Sequence, residues 1–189
     1  MYQEATFALE SLTGLSPKQI EVHLKLYAGY VKNVNALEEK ITALKADSTG
    51  NALALSELTR RYAFEWNGMR LHEYYFEALG GSGDVTPSPL TEALTSTWGS
   101  TDAWHTEFKA LGLMRGIGWV LLVKDDRTGQ LRNIWVSDHE IGHLAGAHII
   151  LALDVWEHAF MVDYLPAERS NYIDAWFSNL NWDTIAKRY

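Results

Sequence analysis

The sequence predicts an α+β fold, in which a long N-terminal helical hairpin is followed by a C-terminal domain of helices around a small three-stranded antiparallel sheet. Over residues 16–79 apolar side chains recur every three to four positions, which is the period of an α-helix. From Gly118 onward, short apolar runs separated by turn residues are typical of strands. A stretch rich in glycine and proline, 80–89, separates the two patterns and predicts a hairpin domain over 1–84 and a second domain over 88–189.

The hairpin is predicted from its start, its period and its turn. Ser16-Pro17 is a typical helix start, because serine can accept from a free N–H and proline fits the first helical position. The helical period continues towards Lys45, and 46–50 breaks it as a turn. A second helix is predicted from Asn51 or Ser56 to about Leu79.

The C-terminal domain is predicted to begin with a short helix that Ser88-Pro89 opens, followed by another from Thr101 to about Leu111. Three strands then follow, over 118–123, 131–136 and 149–153, the first two joined as a hairpin. A loop holding several histidines precedes the third strand. A closing helix is predicted over 172–187.

Composition excludes several classes of protein. The chain has 189 residues and a formal charge of −8, which argues against a nucleic-acid partner because binding phosphates requires surplus Lys and Arg. There is no apolar run long enough to cross a membrane, and the start lacks the pattern of a signal peptide. With no cysteine, a metal would need His and Asp or Glu ligands. The expected location is the cytoplasm.

The chemistry is concentrated near the C-terminus, in the segment 154–160. Asp154 follows a buried strand and His158 comes four residues later, which is half of a metal site. Six other histidines are available to complete it. Each one alone also has a structural interpretation: His23 and His72 lie on apolar helix faces, where a histidine is often simply part of the core.

Taken together, these segments resemble the iron/manganese superoxide dismutase family. Asp-Val-Trp-Glu-His-Ala-Phe at 154–160, continuing to Asp163-Tyr164, matches that family's signature. The segment 16–35 resembles its first ligand helix, and 71–76 its second. Trp98-Gly99-Ser100, 116–119 and Asn181-Trp182 match further landmarks, so the resemblance covers nearly the whole chain.

The resemblance implies one Fe or Mn ion held by His23, His72, Asp154 and His158, with a solvent molecule completing the site. Nitrogen and carboxylate donors without sulfur suit either metal. The implied reaction is dismutation of superoxide to dioxygen and hydrogen peroxide. Each half-reaction moves one electron, and the reductive half also consumes protons.

The same resemblance implies roles for residues around the metal. Tyr30 matches the family's gateway tyrosine, and His139 is a candidate hydrogen-bond partner of the metal-bound solvent. The family's alternative is a Gln four residues before the second ligand, and here that position is Gly68. The implied pocket wall consists of Trp119, Trp156 and Tyr75. Arg169 matches a basic residue that steers the anion electrostatically.

The chain departs from the family pattern in its first helix, where His23 and Tyr30 are one residue closer than usual. An ungapped alignment would put Val31 at the gateway instead of Tyr30.

A second departure concerns assembly. In the family a His of the first helix pairs across the homodimer with a Tyr after the last ligand. Those positions hold Leu26 or Tyr27 and Met161 here, whereas Glu157, the other implied dimer contact, is retained.

Two rival hypotheses remain, and the departures motivate the first of them. One is a protein that keeps the dismutase fold as a metal-binding or interaction protein with weak or no dismutase activity. The other is a hydrolytic Zn site built from the same ligands.

Overall fold

The N-terminal half forms the predicted helical hairpin, and the computed structural model describes all 189 residues of the chain. Helix α1 spans Pro17–Leu44 and helix α2 spans Ala52–Glu77. The Ser16 hydroxyl accepts a hydrogen bond from the Gln19 N–H, so the predicted start of α1 is confirmed. A short 3₁₀ turn, Lys45–Asp47, leads into the connection between the two helices. The pair is antiparallel, and its inner faces carry the buried residues of both helices.

The C-terminal half contains four further helices, two of them before the sheet and two after it. They are α3 (Pro89–Trp98), α4 (Thr101–Gly112), α5 (Arg169–Phe177) and α6 (Trp182–Ala186). The start of α3 has a reciprocal cap in which Ser88 and Thr91 each bond the other's backbone N–H. Gly99, with φ of 88°, ends α3 in the left-handed conformation that favours glycine.

The sheet has three antiparallel strands, as predicted. Strand β1 spans Gly118–Asp125, β2 spans Leu131–Ser137 and β3 spans Ala147–Asp154. The order is β2-β1-β3, so the hairpin partner β2 and the later strand β3 flank β1. Asp154, the last residue of β3, pairs with Trp119 near the start of β1. Strand β3 begins earlier than predicted and takes His148 out of the expected loop.

The predicted single closing helix is wrong, because the chain turns between α5 and α6. Residues 178–181 leave the helix to meet the glycine-rich segment after α2. The carbonyls of Asn179 and Leu180 accept from the N–H groups of Gly81 and Gly83, and Asn181 N–H donates to Ala78 O. Asn181 then caps α6 through its side chain. Tertiary hydrogen bonds thus interrupt the predicted helix.

A single hydrophobic core joins the two halves. It includes Val31 and Met69 from the hairpin together with Leu121 and Leu151 from the sheet. Because both halves contribute to one core, the predicted boundary between a domain over 1–84 and a domain over 88–189 stays a prediction. No helix combines the length and the hydropathy that crossing a bilayer requires.

Candidate metal centre

Three imidazoles and one carboxylate converge where the hairpin meets the sheet. One ligand atom from each of His23, His72, Asp154 and His158 lies within 4.8 Å of all the others. The Asp154 Oδ2 atom is 3.0 Å from Nε2 of His23, 3.3 Å from Nε2 of His158 and 3.7 Å from Nε2 of His72. The side chains of His23, His72 and Asp154 are fully buried, whereas that of His158 is 18% exposed.

Each of the four side chains comes from a different element. His23 lies on α1, His72 on α2, and Asp154 ends β3. His158 lies in a short 3₁₀ turn, Glu157–Ala159, which follows β3 in the chain. The other Asp154 oxygen, Oδ1, accepts from the Trp156 N–H at 2.8 Å, which leaves Oδ2 directed at the imidazoles.

The electrostatics keep the carboxylate charged and the buried imidazoles neutral. Burial by itself would raise the pKa of Asp154, but the neighbouring His158 and His23 outweigh it and lower that pKa. Burial lowers the pKa of His23, which Asp154 only partly opposes. Burial, followed by the neighbouring His23, lowers the pKa of His72 well below its ordinary value. A metal ligand must be an unprotonated imidazole or a carboxylate, and these are the states that the site favours at neutral pH.

The hydrogen bonds of the cluster fit a bound Fe or Mn ion. His72 Nδ1 donates to the Gly68 carbonyl at 2.6 Å, so its Nε2 lone pair is directed into the cluster. Nε2 of His72 and Nε2 of His158 are both buried and have no hydrogen-bond partner. Such groups are costly unless something binds them. A cation between these atoms and the carboxylate would satisfy them, and three nitrogens with one oxygen suit Fe or Mn.

Beside the cluster, Tyr30, His139 and Trp119 form a hydrogen-bonded row. Tyr30 Oη lies 2.7 Å from His139 Nε2, and the Trp119 indole N–H donates to His139 Nδ1 at 2.9 Å. His139 is buried, which lowers its pKa to about 4. Val31, the other gateway candidate, is instead buried in the hydrophobic core. The structure thus places Tyr30, and not Val31, at the pocket.

Gly68 leaves the space that the Tyr30 ring occupies. A Cβ atom at this position would lie 2.6 Å from Tyr30 Cδ1 and 2.7 Å from Cε1, well inside van der Waals contact. Any larger side chain here would displace the tyrosine. The polar group beside the site can therefore come from His139, on the loop after β2, but not from position 68.

The predicted wall residues all lie around the cluster. Trp119 packs edge-on against His72 with ring centroids 5.1 Å apart, and Tyr75 lies 4.8 Å from His23. Trp156 stacks on His139 at 4.9 Å. Trp119 and Tyr75 are fully buried, so they close the inner side of the pocket.

Arg169 and Glu157 lie on the outer surface near the end of α4. The Arg169 guanidinium donates to the carbonyls of Met114 and Gly116 at 2.7 and 2.8 Å, and at 3.4 Å to that of Gly112. These bonds give Arg169 a structural function, and its predicted steering of the substrate stays a prediction. Glu157 is exposed, as a dimer contact requires.

The two candidates for the altered dimer position point in opposite directions. Tyr27 is buried and its hydroxyl donates to Glu73, while it accepts from the Ala5 N–H. Leu26 is 37% exposed and Met161 is 48% exposed. Leu26 is therefore the residue on the outer surface.

Two residues that the sequence analysis did not select hold the site together. Gln19 is fully buried; its amide donates to the His158 carbonyl at 2.7 Å and accepts from the Val162 N–H at 3.0 Å. Tyr172 donates to the Asp154 carbonyl at 2.7 Å. Gln19 had a detectable signal, since it is a polar residue one helical turn before His23 on the same face. Tyr172 had no such signal, because its helix α5 carries no proposed ligand.

Comparison with known proteins agrees with this geometry. The family description "Iron/manganese superoxide dismutases, C-terminal domain" matches residues 86–188, more than half of the chain. The chain is 40% identical to a protein of Cupriavidus metallidurans named superoxide dismutase [Fe], over 94% of this chain and 90% of that protein. It is 38% identical to superoxide dismutase [Mn] 2 of Haloferax volcanii, over 86% and 80% respectively. It is 34% identical to superoxide dismutase [Fe] of Aquifex aeolicus, over 95% and 86%.

These matches define the class of protein as metal-dependent oxidoreductases of this fold. The chain belongs to the iron/manganese superoxide dismutase family. The relatives include proteins named for Fe and for Mn, so the cofactor is Fe or Mn.

Proposed function

We propose that the protein dismutates superoxide at one Fe or Mn ion held by His23, His72, Asp154 and His158. The observation that carries this proposal is the convergence of three nitrogens and one carboxylate oxygen within 4.8 Å in a buried site. Membership of the dismutase family supplies the reaction: two superoxide anions and two protons give dioxygen and hydrogen peroxide. The bound ion supplies the one-electron redox chemistry.

The Tyr30–His139–Trp119 row supports a role in proton delivery. Because the Trp119 indole can only donate, His139 Nδ1 must accept, and the neutral imidazole then carries its proton on Nε2. That N–H donates to Tyr30 Oη, which leaves the phenol's own proton free for a hydrogen bond into the pocket. Burial raises the pKa of Tyr30 well above its ordinary value, so the phenol stays protonated. Tyr30 would thus offer a proton towards the reduced substrate.

The wall residues support exclusion of bulk water. Trp119 and Tyr75 close the inner side, and Trp156 fixes the edge by donating to the Asp138 carbonyl at 3.2 Å. A buried carboxylate bonded to a backbone N–H holds a fixed charge beside the ion, and such fixed partners tune the metal's potential. The pocket would therefore admit a small anion and exclude larger reductants.

The test combines elemental analysis with superoxide turnover on the same sample. Protein loaded with Fe or with Mn should turn over superoxide. Elemental analysis of each preparation then shows which of the two metals is bound in the one that is active. Asp154→Ala should lose both the metal and the activity. Full metal occupancy without turnover would refute the proposed activity, and Zn as the only bound metal would refute the proposed cofactor.

We also propose a homodimer. Exposed apolar side chains follow Glu157 in the chain at Met161, Val162 and Leu165, and the exposed Met114 lines the same surface cavity as Glu157. An apolar patch of this kind is typical of an interface between subunits. Light scattering should give twice the chain mass, and Met161→Glu should give monomers; a parent protein that is already monomeric at micromolar concentration would contradict the dimer.

The cytoplasm is the proposed location. A fold without cysteine needs no oxidising compartment, which supports this proposal. Fractionation of the cells that produce the protein would test it.

A further inference from the structure

The geometry points to Arg61 as a second cation that guides the anionic substrate, at the Tyr30 side of the pocket. This inference rests on the proposed function, since it concerns how superoxide reaches the site. It assigns a role in substrate approach to a residue on α2 that lies outside the ligand set and outside the hydrogen-bonded row.

Arg61 reaches the pocket wall through Phe64. Its guanidinium carbon lies 3.9 Å from the centroid of the Phe64 ring. Phe64 in turn packs edge-on against His139, with ring centroids 4.6 Å apart, and lies 6.3 Å from the Tyr30 ring. Tyr30 and Phe64 are both half-buried, so they form the outer part of the wall next to solvent. The guanidinium therefore lies over the outer surface of the gateway.

The charge of Arg61 is oriented by a buried partner. Glu65 Oε1 accepts from Arg61 Nε at 2.9 Å and Nη2 at 2.7 Å, while Oε2 accepts from the Asn33 side chain at 3.1 Å. The Glu65 side chain is 6% exposed and that of Arg61 is 46% exposed. The pair therefore presents its positive end to solvent and its negative end to the protein interior. An approaching anion meets the positive end first.

Other cations near the site are bound differently. Arg169 directs its donors at three backbone carbonyls on another surface. Arg60 is adjacent to Arg61, but it pairs with an exposed carboxylate, Glu57, so neither end of that pair is favoured towards solvent. Arg60 is thus a matched control: the same residue type, on the same helix, in a similar ion pair, but without contact to the Phe64 ring.

The experiment is a charge series with four proteins: the parent, Arg61→Gln, Glu65→Gln and the double variant. If Arg61 acts through its charge, kcat/KM at low ionic strength should rise as the net charge of the Arg61–Glu65 pair becomes more positive. Glu65→Gln should be fastest and Arg61→Gln slowest, with the double variant between them. One charge acting through water over roughly 10 Å changes an encounter rate by about twofold. The differences should vanish near 0.5 M salt, where the screening length falls below about 5 Å. Arg60→Gln should match the parent.

A readout without turnover keeps this inference separate from the proposed activity. Azide affinity, measured by optical titration of the Fe(III)-loaded proteins at low and high salt, should follow the same ranking. If the parent fails to turn over superoxide, the proposed function is wrong and the azide series still decides the role of Arg61. A loss in Arg61→Gln that persists at high salt would show that Arg61 acts structurally. An equal loss in Arg60→Gln would show that the effect comes from net charge and not from the position of Arg61 over Phe64. Either result would overturn the inference.

Discussion

Replacing His139 with alanine tests the hydrogen-bonded row most directly. The substitution removes the acceptor of the Trp119 indole N–H and the donor to Tyr30. Trp119 is fully buried, so its N–H would have no partner, which costs about 1–3 kcal/mol. Loss of the imidazole that stacks on Trp156 leaves a cavity and adds a cost of similar size. We expect the free energy of unfolding to fall by about 2–6 kcal/mol in total.

His139→Gln separates the hydrogen bonds from the packing. A glutamine amide has both an acceptor for Trp119 and a donor for Tyr30, so it should recover most of the lost stability. Activity should fall in the alanine variant and partly return in the glutamine variant, with metal content unchanged in both, because His139 is not among the four proposed ligands. Urea unfolding followed by tryptophan fluorescence measures the stability, and elemental analysis measures the metal.

His143→Ala is the matched control for this pair. His143 is exposed and donates only to the His139 carbonyl, so its loss should cost less than about 1 kcal/mol. This role of His139 is refuted if His139→Ala has the same free energy of unfolding as the parent, or if the glutamine variant loses as much stability as the alanine variant. In either case the hydrogen bonds of His139 do not hold the Tyr30–His139–Trp119 row together.

Three further predictions concern the glycines, the Arg169 hydrogen bonds and pH. Gly68→Ala should displace the Tyr30 ring, lower the activity and destabilise the protein by about 1–3 kcal/mol. Gly29→Ala is the control: its Cβ would meet nothing within 4 Å, so it should stabilise the protein by about 0.5–1 kcal/mol. Equal shifts of the melting temperature in the two variants would contradict the crowding at position 68. Arg169→Lys should lower the free energy of unfolding by about 1–3 kcal/mol, because a lysine ammonium cannot reach both the Met114 and the Gly116 carbonyls, which the guanidinium bonds together. An unchanged urea midpoint would show that those bonds contribute little. In the metal-free protein, the buried imidazoles of His23 and His72 have lowered pKa values, so the unfolded chain takes up protons before the folded chain does. The free energy of unfolding should therefore fall as the pH drops below about 6.5, by about 1.4 kcal/mol per pH unit for each group. A urea midpoint that stays constant between pH 7 and pH 5 would exclude this linkage.

The sequence was sufficient where the determining interactions are local. Ser16-Pro17 fixes the start of α1 because the cap contacts residues only three positions away. The strands follow from short apolar runs bounded by turns, and their antiparallel sheet is the one predicted. The segment 154–160 carries its own chemistry, since Asp154 and His158 are four residues apart and Oδ1 of the aspartate is bonded two residues on.

The break in the closing helix could not be read from the sequence, because its cause is distant. Backbone groups of 178–181 bond the segment after α2, about a hundred positions away in the chain. Ser178, Asn179 and Asn181 are weak helix formers, but the tertiary hydrogen bonds are what fix the place of the break.

The choice between Leu26 and Tyr27 was also decided by tertiary contacts. Neighbouring residues on a helix differ by about 100° in direction, so an uncertain alignment of one residue reverses which side chain faces solvent. Burial of Tyr27 against Glu73 settles the direction, and the same packing places Tyr30 beside His139.

By itself, the sequence determined most of the elements, and its resemblance to the family implied the types of ligand: three imidazoles and a carboxylate on two helices, a strand end and the segment after it. Only the tertiary structure decided that Oδ2 of Asp154 faces all three imidazoles, that Gln19 and Tyr172 hold that end of the site in place, and that Arg61 lies over the gateway. The physical reason is the range of the interactions. Caps and periodicity act within a few residues, whereas burial and side-chain hydrogen bonds join residues that only the folded chain brings together.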